Sequence, residues 1–281
     1  MDLTPSIDSE LVRQGLDSLT IRLQLHPEDS RLLEQAAIYS RMLGDLAQAK
    51  HWLQQVTPVN LSPAAQEMLR ILCGENPGSE LDPAETWPSP FLMIEDFLPA
   101  RDVQLLLQLV QQNREQFKPS TFFRQQDDLY DSSYDSTYRQ SSTWHTAELD
   151  AVFNTRVQDL FPELQQMLRV PAFDLQRIGK KLLIYEQGDF FAAHHDASHQ
   201  RQISFGYFLF PGEKAFTQGD FILYDTNRHD GSYLPRQYTR FTCRHNSIVF
   251  FPSACWHEVT PLCANQPGAS RFAVIGHLAS A

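Results

Sequence analysis

No stretch of this 281-residue chain approaches the roughly 20 consecutive apolar residues that a membrane-spanning helix requires. Basic residues are scarce: 23 lysines and arginines stand against 34 aspartates and glutamates, a net charge of −11. That balance gives little reward for binding nucleic-acid backbones or anionic membranes, so neither partner is expected. The opening residues, Met1 to Glu10, are acidic and lack the basic-then-apolar order of a secretory signal. Cysteine is sparse as well. Cys73, Cys243, Cys255 and Cys263 form no CxxC pair and no zinc-like spacing. A disulfide-stapled secreted scaffold does not fit; reduced, buried thiols in a cytoplasmic protein are the expectation.

What is present reads as an ordinary globular protein, with 42% hydrophobic and 20% charged residues. The length suits one large domain or a large and a small one. Residues 1–75 carry apolar positions at helical spacing, broken at Gly44-Asp45 and closed at Pro58. Gly44, Leu46, Ala49 and Leu53 fit a tetratricopeptide-like frame, and a plain small helical bundle fits equally well. One and a half such repeats cannot bury a core alone, so this segment should lean on the larger C-terminal part of the chain. Residues 76–90 are rich in proline and glycine and read as a connector.

From residue 91 to 281 the texture changes. "FLMIEDFL" suggests a strand, and Ala100 to Phe117 a helix with Val103, Leu106, Leu107 and Val110 on one face. A second helix is expected around 147–168. Then come strand-like runs: "KKLLIYE", "RQISFGYFLF", "DFILYD", "SIVFFPS" and "RFAVIGHL". Many short strands in series with little helix between them imply an antiparallel sandwich or barrel. Residues 118–143 show no periodicity and read as a long loop.

The chemistry concentrates in "FFAAHHDASH". On a strand, residues two apart share a face, so His194 and Asp196 can converge on one point while His195 turns away. An imidazole and a carboxylate make two thirds of the facial triad that holds non-haem Fe(II). His257, directly after the apolar "SIVFFPS" strand, is the candidate third ligand. Such a triad leaves positions open for a bidentate cosubstrate and dioxygen. Glu258 is the only group that could serve as a general base beside the metal in a hydrolase.

Tyr185, Gly188, Phe191, His194 and Asp196 fit the pattern Y-x-x-G-x-x-[aromatic]-x-x-H-x-D. With "QGDFILYD", "HEVTP" and "SRFAVIGHL", the chain over residues 88 to 279 resembles the Fe(II)- and 2-oxoglutarate-dependent dioxygenases of the prolyl 4-hydroxylase type. The resemblance implies an α+β protein whose core is a double-stranded β-helix, or jelly-roll, with flanking helices. It implies Fe(II) on His194, Asp196 and His257, 2-oxoglutarate and O2 as cosubstrates, and ascorbate as an accessory reductant. By the same resemblance Arg271 binds the distal carboxylate of 2-oxoglutarate, and Tyr185 is a second donor to it. The guanidinium suits that task, since it grips a carboxylate through paired hydrogen bonds and stays charged when buried. The family's tyrosine on the "SFGYFLF" strand is replaced by Phe208, with Tyr207 displaced to the opposite face. Fourteen residues separate His257 from Arg271, and "CANQPGA" reads as a lengthened hairpin loop.

The implied reaction is hydroxylation of an unactivated C–H bond, with 2-oxoglutarate converted to succinate and CO2. The substrate is left open between an amino-acyl residue of a peptide and a small metabolite. Arg139, Asp128, Tyr130 and Tyr134 are the candidate substrate contacts. The stretch from Asp127 to Tyr138 reads as a lid whose aspartates would draw a cationic substrate. A different class, a non-catalytic adaptor on a degenerate jelly-roll, is disfavoured by the intact ligands and Arg271. Nothing in the sequence fixes an oligomeric state.

Overall fold

Alternating apolar residues along the expected runs become strands of two facing antiparallel sheets in the computed structural model. It describes residues 9–42, 45–61, 65, 69, 86–126, 129–133, 138–197, 200–227 and 229–280. The larger sheet runs β2 (Leu92–Ile94), β14 (Ser247–Pro252), β10 (Arg201–Leu209), β17 (Arg271–Ala279), β8 (Arg177–Tyr185), β7 (Ser142–Trp144) and β3 (Lys118–Pro119). The smaller runs β1 (Thr86–Trp87), β12 (Phe221–Asn227), β15 (His257–Val259), β9 (Phe190–His194) and β6 (Arg139–Gln140), with β13 (Tyr233–Phe241) also on β12. This is the expected jelly-roll.

Period-two alternation divides each long strand between two cores. On β10, Ile203, Phe205, Tyr207 and Leu209 face the helices, α4 (Ala100–Gln112) and α5 (Glu148–Leu168). Val103, Leu106, Leu107 and Val110 of α4 and Leu149, Phe153 and Val157 of α5 meet them there. Phe208 of β10, Leu183 and Tyr185 of β8 and Ala273 of β17 point the other way, against Phe221, Leu223 and Val259 of the smaller sheet. Helix α4 stops at Gln112, short of Phe117, because Asn113 leaves the helical region and turns its amide onto the Leu109 carbonyl at 2.9 Å.

α1 (Ser9–Leu25), α2 (Ser30–Met42) and α3 (Leu46–Gln54) share a core of Leu19, Leu23, Leu33, Ala36, Ala37, Ala49 and Leu53. Asp29 and Asp45 accept backbone N–H groups at the starts of α2 and α3. Ile38 packs against both this core and the one between the sheets. Gly44, part of the tetratricopeptide-like frame, lies outside the described residues.

Several expectations need correction. The end of the 76–90 connector belongs to the sheet: Thr86 and Trp87 pair with Asn227 and Thr226, and Ser89 is locked to Asp225 and the Tyr224 carbonyl. The aperiodic 118–143 stretch is largely paired backbone, including a hairpin of β4 (Phe122–Gln126) and β5 (Leu129–Ser133). Its polar composition hid the pairing, since neither face shows an apolar rhythm. The "CANQPGA" loop begins as β16 (Leu262–Ala264), which pairs with β11 (Phe216–Gln218). Cys243 and Cys255 are buried thiols, whereas Cys263 is exposed. Among the described residues no helix is long and apolar enough to cross a membrane.

Candidate metal centre and its cavity

The centre forms where β9 ends and β15 begins. His194 and His257 are direct partners across that ladder, with ring centroids 4.2 Å apart. Asp196 lies two residues beyond the end of β9, so pairing rather than strand alternation positions it: its amide donates to the Ser253 carbonyl at 2.8 Å. Gly188, at φ +81°, makes the turn that launches β9. One ligand atom each from His194, Asp196 and His257 lies within 4.8 Å of the others.

The donor set fits a divalent metal in its finer detail. His194 Nδ1 is 2.7 Å from the Ala192 carbonyl and His257 Nδ1 is 3.0 Å from the Cys255 carbonyl. A ring nitrogen meets a carbonyl as an N–H donor, so each Nε2 keeps its lone pair for a metal. Burial lowers the pKa of both imidazoles, His194 especially, where His257 adds to the effect. Both rings are therefore in the neutral, ligating form at neutral pH. Burial alone would raise the Asp196 pKa. The fields of His277, His257 and His194, with a hydrogen bond from Ser204, hold it well below the usual carboxylate range.

That support was not foreseen. Ser204 Oγ donates to Asp196 Oδ2 at 2.9 Å and stands 2.8 Å from Ser253 Oγ and 3.0 Å from His277 Nδ1. His277 is 3.6 Å from Asp196 Oδ2 and is pushed down to about pKa 4 by burial. The available signal was a lone hydroxyl inside the apolar run "ISFGYFLF". Glu258 turns to the opposite face of β15, where it meets Tyr224, and does not stand beside the triad.

The triad opens into a cavity of about 690 Å³ between the sheets. Arg271 closes one end, 1% exposed, with its guanidinium 4.3 Å from the Tyr185 ring centroid and 5.5 Å from that of Phe208. Its Nη1 donates to the Gly219 carbonyl and to Cys243 Sγ at 2.9 Å, while Nε is buried without a hydrogen-bond partner among the described residues. Tyr185 lines the same cavity. Tyr207 faces the helices and donates to Asn246 Oδ1 at 2.9 Å, as its register implied.

Of the candidate substrate contacts, Arg139 reaches the cavity. It is 3% exposed and lies 4.3 Å over the Phe191 ring. Asp128 and Tyr134 lie outside the described residues, and Tyr130 is placed on β5 opposite Gln125 by its backbone alone. Tyr138, at the end of the expected lid, does line the cavity, 5.6 Å from the Phe191 ring centroid. His145 lines the cavity as well, its pKa lowered by burial and Lys181.

Residues 181–279 match the model of the 2OG-Fe(II) oxygenase superfamily. The chain is 26% identical over 300 residues to an uncharacterized PKHD-type hydroxylase of Synechocystis sp., covering 98% of this chain and 90% of that protein. Its fold is similar to that of a Pseudomonas putida prolyl-4-hydroxylase, with a TM-score of 0.50 at 18% identity, over 69% of this chain and 94% of that one.

Proposed function

Starting from a 2OG-Fe(II) oxygenase domain at residues 181–279, we propose that this protein hydroxylates a C–H bond of an amino-acyl residue or small molecule held in the cavity. The observation that carries the reading is the triad itself. Three ligand atoms lie within 4.8 Å, with both imidazole Nδ1 positions already committed to carbonyls, at the wall of a cavity that ends in a buried arginine. Bound Fe(II) and 2-oxoglutarate supply oxidative decarboxylation, giving succinate and CO2, coupled to oxygen insertion.

The chain's own residues do the rest. His194, Asp196 and His257 hold the metal, and Ser204 and His277 fix the carboxylate that faces it. Arg271 grips the distal carboxylate of 2-oxoglutarate, with Tyr185 supporting the guanidinium through its ring face. Leu183, Phe208, Val259 and Ala273 line the cavity and keep water from the reacting centre. A volume of about 690 Å³ accommodates the cosubstrate with a single side chain or a small molecule.

Purified protein should take up stoichiometric Fe(II) and gain a visible charge-transfer band only when 2-oxoglutarate is added under nitrogen. His257→Ala should abolish that band. Retention of the band and of full turnover in this variant would overturn the triad.

A further inference from the structure

The protein carries a net charge of −11, yet its cavity has the opposite sign. Among the described residues that line it, Asp196 is the one carboxylate, against Arg139, Lys180, Lys181, Arg201 and Arg271. Lys180 is already occupied by Asp150 at 2.7 Å and Asn154. If Fe(II) and 2-oxoglutarate are bound, as the oxygenase reading requires, the charges of metal and cosubstrate cancel. Asp196 then offsets only one of the four remaining cations.

These cations fall into two groups. Arg271 pairs with Tyr185 across the β8–β17 ladder, whereas Lys181 pairs with Ile275. Four residues of strand separate the two positions, roughly 13 Å at ~3.3 Å per residue. 2-Oxoglutarate is a five-carbon chain of about 5 Å at ~1.5 Å per bond, too short to span both ends. The fields agree: Arg271 acts on Cys243 and Asp220, while Arg139, Lys181 and Arg201 each act on Asp196. Lys181 and Arg201 are therefore offset from Arg271 along the strands, and Arg139 stands between them and Tyr185.

Each of these three is built in. The β10–β17 ladder slips between Arg201 and Ile203, so Arg201 faces the cavity although it is three residues from the inward-facing Ser204. A bulge of this kind re-aims a side chain. Arg139 is fixed by Nε to Ser141 Oγ at 3.1 Å, itself bonded to Ser120 Oγ, by Nη1 to the Thr121 carbonyl at 3.4 Å and by the Tyr185 side chain. Lys181 projects inward beside Leu183 and Tyr185 of the same strand. Buried like charges repel and lose hydration, so an arrangement of three calls for an anion.

We propose that the substrate is held by a compact oxyanion, a carboxylate or phosphate, in the subsite formed by Arg139, Lys181 and Arg201. This rests on the oxygenase reading only for where the reacting bond lies, and it reverses the cationic substrate that the aspartate-rich stretch suggests. The test is calorimetric titration under nitrogen of protein loaded with Fe(II) and 2-oxoglutarate. Probes are matched pairs: N-acetylleucine with N-acetylleucinamide, and phenyl phosphate with phenol. The anion of at least one pair should bind ten-fold or more tightly than its neutral partner, and which pair responds distinguishes carboxylate from phosphate. Lys181→Gln and Arg201→Gln should each remove most of that preference, and Lys181→Arg should keep it. Equal binding within both pairs, or a preference that survives both glutamine variants, would overturn the subsite. Absence of the charge-transfer band with the anion preference intact would instead count against the oxygenase reading.

Discussion

Arg271 is a full charge at a place almost closed to water, and no carboxylate pairs with it directly. A carbonyl, a thiol and two aromatic faces touch it, and Asp220 acts on it only through its field. A dicarboxylic cosubstrate supplies what is missing. Truncating one partner of a buried charge-assisted pair costs about 2–5 kcal/mol. Arg271→Ala should therefore raise the 2-oxoglutarate concentration for half-maximal turnover by about 30-fold or more, since ~1.4 kcal/mol is a factor of ten. Stoichiometric Fe(II) uptake should persist in the variant. Unchanged 2-oxoglutarate dependence would move the clamp to Lys181 or Arg201. The triad and this arginine were legible in the sequence because each sits at a fixed place in a recurring pattern. Ser204 and His277 were not. Their partner, Asp196, lies across a sheet, and a serine or histidine on an inner face has no linear signature.

At the scale of elements, Asn246 is the clasp between the chain's entry to the jelly-roll and the sheet it enters. It sits at φ +58°, just before β14, a left-handed conformation that asparagine tolerates. Its backbone carbonyl accepts from Phe97, and its side-chain amide holds the N–H and carbonyl of Leu98 at 2.9 Å each. Tyr207 donates to the same Oδ1 at 2.9 Å. Asn246→Ala would leave three buried polar groups unpaired and place a β-carbon in a strained backbone region. A loss of about 3–5 kcal/mol is expected from these terms together. Urea denaturation followed by tryptophan fluorescence would show it; a loss below 1 kcal/mol would mean that water replaces the side chain. Elements with strong rhythm, such as β8, β10, β17 and α4, were readable because one face of each is apolar. The β4–β5 hairpin was not, since it pairs two polar segments, nor was β13, whose charged and polar residues break the apolar rhythm although it pairs with the apolar β12.

For the molecule as a whole, the cationic cavity trades stability for ligand affinity. Burial, with Arg139 adding to it, lowers the Lys181 pKa from 10.5 to about 8. The unfolded chain therefore binds more protons than the folded one between pH 8 and 10.5, so the native state gains stability as pH rises through that window. Below pH 8 the cost of holding this lysine charged is fully present. The shift corresponds to up to about 3 kcal/mol at ~1.36 kcal/mol per unit. Lys181→Met, which keeps the chain's bulk and removes the charge, should raise the melting temperature at pH 7 in the absence of anions. Its advantage over the parent protein should shrink between pH 8 and 10.5, as the parent loses the same proton. Adding the anionic probe at saturating concentration should narrow the gap at pH 7 as well, because ligand binding stabilises only the protein that keeps the lysine. A Lys181→Met variant less stable than the parent at pH 7 would mean that this ammonium is already neutralised within the fold, and that the subsite is not waiting for an anion.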